Sequence, residues 1–192
     1  MEQSTKMLGG IAYIVMIVFS IFGTFLPFLG IINLIAAICV LVAFIQAGNQ
    51  VGRPDVKNNI IIAIVLYIVA AILLMFIVGA GLAAMFAAGD AETASEAASG
   101  LAAFGTGALI GGIIAWILAI IGAWFWYKAS SALTEATGEG LFKVGGLLLF
   151  IGAILLVVFG IGGIVMLVGE ILQAIAFFKV PEKGMVKADN AT

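Results

Sequence analysis

The chain has 192 residues, 65% of them hydrophobic and 9% charged, with a formal net charge of −2 and no histidine. A water-soluble domain is about a quarter charged and just under half apolar, so this chain lacks the polar surface that a water-facing globule needs, whereas lipid requires none. The composition therefore excludes the soluble class, the absence of a basic stripe excludes a nucleic-acid surface, and the single cysteine excludes an internal disulfide or a cysteine-only metal cluster.

From the N-terminus, Lys6 precedes an apolar block over about 7–47. A helix rises 1.5 Å per residue, so such a block would be roughly 60 Å long, twice the hydrocarbon thickness. It must fold back, and "TFLPFLG" at its centre (24–30) carries the residues for a turn. Proline stops a helix, and glycine accepts the left-handed geometry of a tight turn. Two spans follow, 7–26 and 28–47. The first is expected to be retained rather than cleaved as a leader, because no small-x-small site closes it. Cys39 lies in the second span and is expected to be a small packing residue.

A turn-rich link, "GNQVGRPDVKNN" (48–59), leads into a third span, 59–87. The loop over 88–106 is alanine-rich and acidic, with Asp90, Glu92 and Glu96. Thr93 and Glu96 have capping-box spacing, which predicts a short external helix. The carboxylates are expected to be solvated rather than to hold a divalent cation. A fourth span, 107–127, ends on the aromatic belt "WFWYK" (124–128), and "ASSALTEATGEG" (129–140) predicts a short interfacial helix closed by Gly138. The last block, 141–180, is again two crossings long and has "FGIGG" (159–163) at its centre. Its spans are 141–159 and 163–179, followed by a tail over 180–192.

The expected fold class is thus an all-α integral membrane protein. It is a single polytopic domain, a compact bundle of six transmembrane helices built as a hairpin, two central spans and a second hairpin. With six spans, all eight basic residues (Lys6, Arg53, Lys57, Lys128, Lys143, Lys179, Lys183 and Lys187) fall on the side of both termini. The positive-inside rule makes that side cytoplasmic and places the chain in the cell (inner) membrane. Four spans with two re-entrant hairpins would partition the charge identically, but a turn facing lipid leaves backbone amides unpaired, which favours six.

Helices associate in lipid by close approach, and small residues permit it. The fourth span carries Gly107, Gly111, Ala115, Ala119 and Ala123, small at every fourth position. This stripe is expected to pack within the subunit, with a dimer interface as the alternative. The third span has a shorter stripe, Ala80, Ala84 and Ala88, and is its natural neighbour.

One carboxylate interrupts the last span, Glu170, with Gln173 one turn on along the same face. A central charged residue opposes insertion by roughly 3 kcal/mol, and Leu, Ile, Phe or Val favours it by about 0.5 each. Nine such residues between Gly163 and Lys179 offset Glu170 with little margin. Three roles compete. Neutral Glu170 can hydrogen-bond to Gln173, to Asn33 of the second span or to a symmetry mate. It can serve as a proton or cation site, although no basic residue or second carboxylate lies at that depth. It can also meet a partner membrane protein.

The two hairpins begin alike, "KMLGGIAYI" (6–14) against "KVGGLLLFI" (143–151), and end alike, "AFIQ" (43–46) against "AFFK" (176–179). Both run from and to the same side, so the repeat is parallel, unlike the inverted repeats of many transporters. Four stretches also resemble one family of prokaryotic integral membrane proteins, domain of unknown function 996. They are "KMLGGIAYI" (6–14), "DVKNNIIIAI" (55–64), "ALTEATGEGLFKVGGLLLFIGAIL" (132–155) and "AIAFFKVP" (174–181), and together they cover nearly the whole chain. The resemblance implies a multi-span membrane protein and no activity; in that family's pattern the position of Glu170 is more usually aromatic or apolar.

No enzyme class fits. The usual general base, histidine, is absent, the lone cysteine is apolar-embedded, and phosphate-loop, dinucleotide and metalloprotease motifs are missing. The expected function is therefore non-catalytic, a structural, assembly or interaction role in a membrane complex, with no cofactor. Its partners would be the bilayer and either a second copy or another membrane protein. The alternative is a small proton- or cation-conducting transporter or channel that uses Glu170.

Overall fold

The structure is a computed structural model that describes residues 1–22, 29–89, 93–156 and 161–181. These form six helices, α1 (Gln3–Phe22), α2 (Leu29–Gln50), α3 (Pro54–Gly89), α4 (Ala94–Thr137), α5 (Leu141–Leu155) and α6 (Ile161–Lys179). Five of them, all but α5, are long and apolar enough to cross a membrane. The described part of α5 has 15 residues, about 22 Å of rise, less than the hydrocarbon thickness of roughly 30 Å. The expected crossing over 141–159 extends into 157–159, which lie outside the described residues. So do most of the first expected turn, the start of the second, Asp90, Glu92, and the tail with Lys183 and Lys187.

The expected boundaries shift most in the middle of the chain. The α3 helix opens on Pro54 and Asp55, five residues before the apolar run. Proline suits the first helical position because its missing N–H has no partner there anyway, and a first-turn carboxylate complements the helix dipole. In α4 the expected external helix, span and interfacial helix are one continuous helix of 44 residues. Thr93 Oγ1 accepts the Glu96 N–H at 3.3 Å at its start. At its end Gly138 turns the chain at φ 76°, a backbone conformation that costs glycine nothing.

The chain divides into two compact units, one made of Met1–Ala63 and Ala123–Thr192, the other of Ile64–Gly122. In the first, α1 packs on α2 and α6, and α5 packs on α6. At the α5–α6 crossing the two backbones touch. A Cβ on Gly145 would lie 2.8 Å from the carbonyl oxygen of Gly169, and one on Gly152 would lie 2.8 Å from that of Gly162. Both pairs are seven residues apart on their helices, so four glycines hold one antiparallel seam.

The start of α1, the end of α2, the start of α3, the end of α4, the start of α5 and the end of α6 gather at one end of this unit. The terminal amine of Met1 donates to the Pro181 carbonyl at 3.1 Å, and the Glu2 N–H donates to Gln50 Oε1 at 2.8 Å. Arg53 donates to Glu135 at 2.9 Å, and the Lys143 N–H donates to Thr134 Oγ1 at 3.0 Å. An aromatic core lies just inside this end. Phe44 of α2 meets Trp126 of α4 and Phe177 of α6 with ring centres 5.1 and 5.4 Å apart, and Phe142 of α5 meets Phe177 at 5.0 Å. Phe44 and Phe177 are the corresponding phenylalanines of the two similar hairpin ends, and they pack edge-to-face.

In the second unit, α3 and α4 run antiparallel, with Phe104 over Gly81 and Ile77 over Gly111. On α3 Gly81 is buried and Ala84 and Ala88 are half-buried while Ala80 is exposed, so Gly81 takes the place expected of Ala80 on the face that holds Ala84 and Ala88.

Candidate functional site

The most polar point inside the first unit is Gln173, whose side chain is fully buried. It lies on α6 with Gly169 and Gly162 on the side that meets α5, and the close backbone seam there holds it tightly, since a Cβ on Gly145 would reach its Cγ at 2.6 Å. Two other helices supply three hydrogen-bonding groups. Its Oε1 accepts from the Tyr13 hydroxyl of α1 and from Trp126 Nε1–H of α4, the latter at 3.2 Å. Its Nε2 donates to Ser130 Oγ of α4 at 3.0 Å, and Ser130 is itself fully buried. A buried amide without partners costs several kcal/mol in an apolar medium, so this knot ties α1, α4 and α6 into one relative register.

Glu170 and Gln173 do not bond to each other. Glu170 is half-buried and makes no hydrogen bond or ion pair with a described residue. It lies one turn before Ala174 and two before Phe177, both buried. Asn33 of α2 is not brought to Glu170 by any hydrogen bond either, and its Oδ1 is buried without a partner among the described residues. Of the small-residue stripe on α4, Ala115 and Ala123 are buried, Gly111 faces Ile77, and Gly107 has open space where a Cβ would point. Ala119 is half-buried. Cys39 is a free thiol in an apolar groove between α1 and α2, of about 400 Å³, beside Ile11, Ala12 and Ala36. Among the described residues no group of three or more His, Cys, Asp or Glu side chains could hold a metal ion.

Sequence reasoning singled out Gln173 and missed its partners. Tyr13 reads as an ordinary polar residue of the first span, Trp126 as part of an interfacial belt and Ser130 as part of a separate amphipathic helix. The available signal is that α4 continues without a break: Trp126 and Ser130 are then one turn apart on one face.

A second polar constellation lies where the start of α3 meets the end of α4. Arg53 donates to Asp55 at 2.8 Å and to Glu135 at 2.9 Å. Ahead of the apolar run of α3, the hydrogen bond from Arg53 holds the Asp55 carboxyl below its ordinary value of 3.8. Lys128 makes no ion pair with a described carboxylate, and its ammonium lies over the rings of Trp124 and Phe125, at 5.8 and 5.6 Å.

A curated relative, the uncharacterized protein MJ1644 of Methanocaldococcus jannaschii, is 30% identical over 153 residues, 80% of each chain. No solved structure matches. The family model described as "Protein of unknown function (DUF996)" matches residues 32–171, a stretch that holds most of α2, all of α3, α4 and α5, and α6 as far as Ile171. On these grounds the chain belongs to the DUF996 family.

Proposed function

We propose that this protein is a non-catalytic, six-span membrane protein with both termini in the cytoplasm, and that it works by assembly, pairing with a second copy or another membrane protein through α6. The observation that carries this reading is the contrast between Gln173 and Glu170. Gln173 is satisfied from three sides within the chain, whereas Glu170, one turn away, has no partner among the described residues. A carboxyl within an apolar helix opposes insertion by roughly 3 kcal/mol. A hydrogen bond across a subunit interface offsets part of that cost, and intramembrane ionisable residues face partners or cavities far more often than lipid. The six described basic residues all lie within about three turns of the end where Met1 meets Pro181, which supports the cytoplasmic orientation.

The test is particle mass in native membrane extracts, read by native mass spectrometry. Glu170→Leu is expected to shift the protein to the smaller species, while Glu170→Gln, which still hydrogen-bonds, keeps the larger one. If Glu170→Leu and the parent chain have the same mass in every extract, the assembly reading fails. Proton or cation flux in liposomes that Glu170→Gln abolishes would replace it with transport.

A further inference from the structure

A cavity of about 370 Å³ opens between the start of α3 and the end of α4, lined by Arg53, Asp55, Asn59, Trp124, Lys128, Ser131 and Glu135, among others. We infer that this cavity binds the headgroup of a membrane phospholipid carrying a primary ammonium, with its phosphodiester on Lys128 and its ammonium on Glu135.

The order of side chains along α4 carries the assignment. Trp124, Lys128, Ser131 and Glu135 are spaced four, three and four residues apart, so they form one stripe along one helix face. From the apolar run outward this stripe reads aromatic ring, ammonium, hydroxyl, carboxylate. An aminophospholipid presents its groups in the matching order: glycerol and acyl chains, phosphate, then terminal ammonium. Trp124 is partly exposed and lies at the depth where indole rings favour the membrane interface. Lys128 and Glu135 are separated by about 10 Å of helical rise, a span that a phosphate–ethanolamine unit bridges with one hydrogen bond at each end.

Charge narrows the headgroup further. The lining holds two cations and two carboxylates. Arg53 is held by both carboxylates and binds Asp55 in a fork, with contacts to each of its oxygens at 3.2 Å or less. Lys128 remains the one lining cation without a carboxylate, and Ser131 and Asn59 add donors beside it. Glu135 gives Arg53 one oxygen, Oε2, and its side chain is 63% exposed, so it can still accept from an incoming ammonium. A purely anionic headgroup would satisfy Lys128 but place its charge near Glu135 and Asp55. A trimethylated headgroup has no N–H to donate to Glu135.

Delipidated protein in detergent, offered dioleoyl phosphatidylethanolamine, phosphatidylglycerol and phosphatidylcholine singly, tests this by native mass spectrometry. The ethanolamine lipid is expected to be retained best. Lys128→Gln should lower its retention about tenfold, the loss of one charge-assisted contact. Glu135→Gln should lower retention of the ethanolamine lipid without lowering that of the glycerol lipid, and Lys143→Gln, outside the cavity, should change neither. Equal retention of the three lipids, or Lys128→Gln matching the parent chain, would overturn the proposal. Soluble O-phosphoethanolamine is expected not to displace the lipid at equal concentration; displacement would make the ligand a free zwitterion instead.

Discussion

Replacing Gln173 by methionine isolates the polar knot from the packing around it. Methionine keeps an unbranched side chain of similar length, so the tight space against Gly145 stays filled, while the amide is lost. The Tyr13 hydroxyl and Trp126 N–H then lose this acceptor, and Ser130 loses its donor. Interhelical hydrogen bonds in membrane proteins average about 0.6 kcal/mol and reach about 1.7 kcal/mol. Three of them together are thus worth about 2 to 5 kcal/mol, or about 20-fold to 4,000-fold in the folding equilibrium. Unfolding in mixed micelles by added dodecyl sulfate, followed by tryptophan emission, reads the change directly, because Trp126 belongs to the cluster. A cycle with Tyr13→Phe should be non-additive, since the second change removes a bond that the first has already broken. If Gln173→Met unfolds at the parent midpoint, or the two changes simply add, the knot does not set the register of α1, α4 and α6.

The remaining predictions concern other parts of the two units. Gly169→Ala would put a Cβ 2.8 Å from the Gly145 carbonyl oxygen, a backbone atom that cannot rotate away; a loss of about 1–3 kcal/mol is expected in the same assay. On α4, Gly107→Ala meets open space and should leave stability within about 0.5 kcal/mol of the parent. Gly111→Ile meets Ile77, so it should lower stability without changing particle mass; an altered mass would move that face to a subunit interface. The Arg53–Asp55 contact adds an acid dependence. Because the folded carboxyl titrates below its ordinary value of 3.8, its contribution is complete above that value and is lost as pH falls through the lower folded one. Melting curves between pH 3 and 6 should show a small decline confined to the acid end, and Asp55→Asn should remove it.

Apolar block lengths were enough to read an all-helical chain with several helices long and apolar enough to cross a membrane, because hydrocarbon leaves the backbone few alternatives to the helix. The start of α3 at Pro54 reads as part of a link, whereas glycine at 138 and the Thr93–Glu96 spacing mark where α4 ends and where it begins. These are local signals, and local chemistry settles them. The continuity of α4 through 94–137 was not legible. Its polar ends read as separate short helices, and at the second of them tertiary contacts, Ser130 against Gln173 and Glu135 against Arg53, hold the turns in line with the span. The partners of Gln173 come from α1 and α4, 160 and 43 or 47 residues away in the chain. A glutamine in an apolar run announces that it needs partners, and only the crossing of the helices decides which ones it finds.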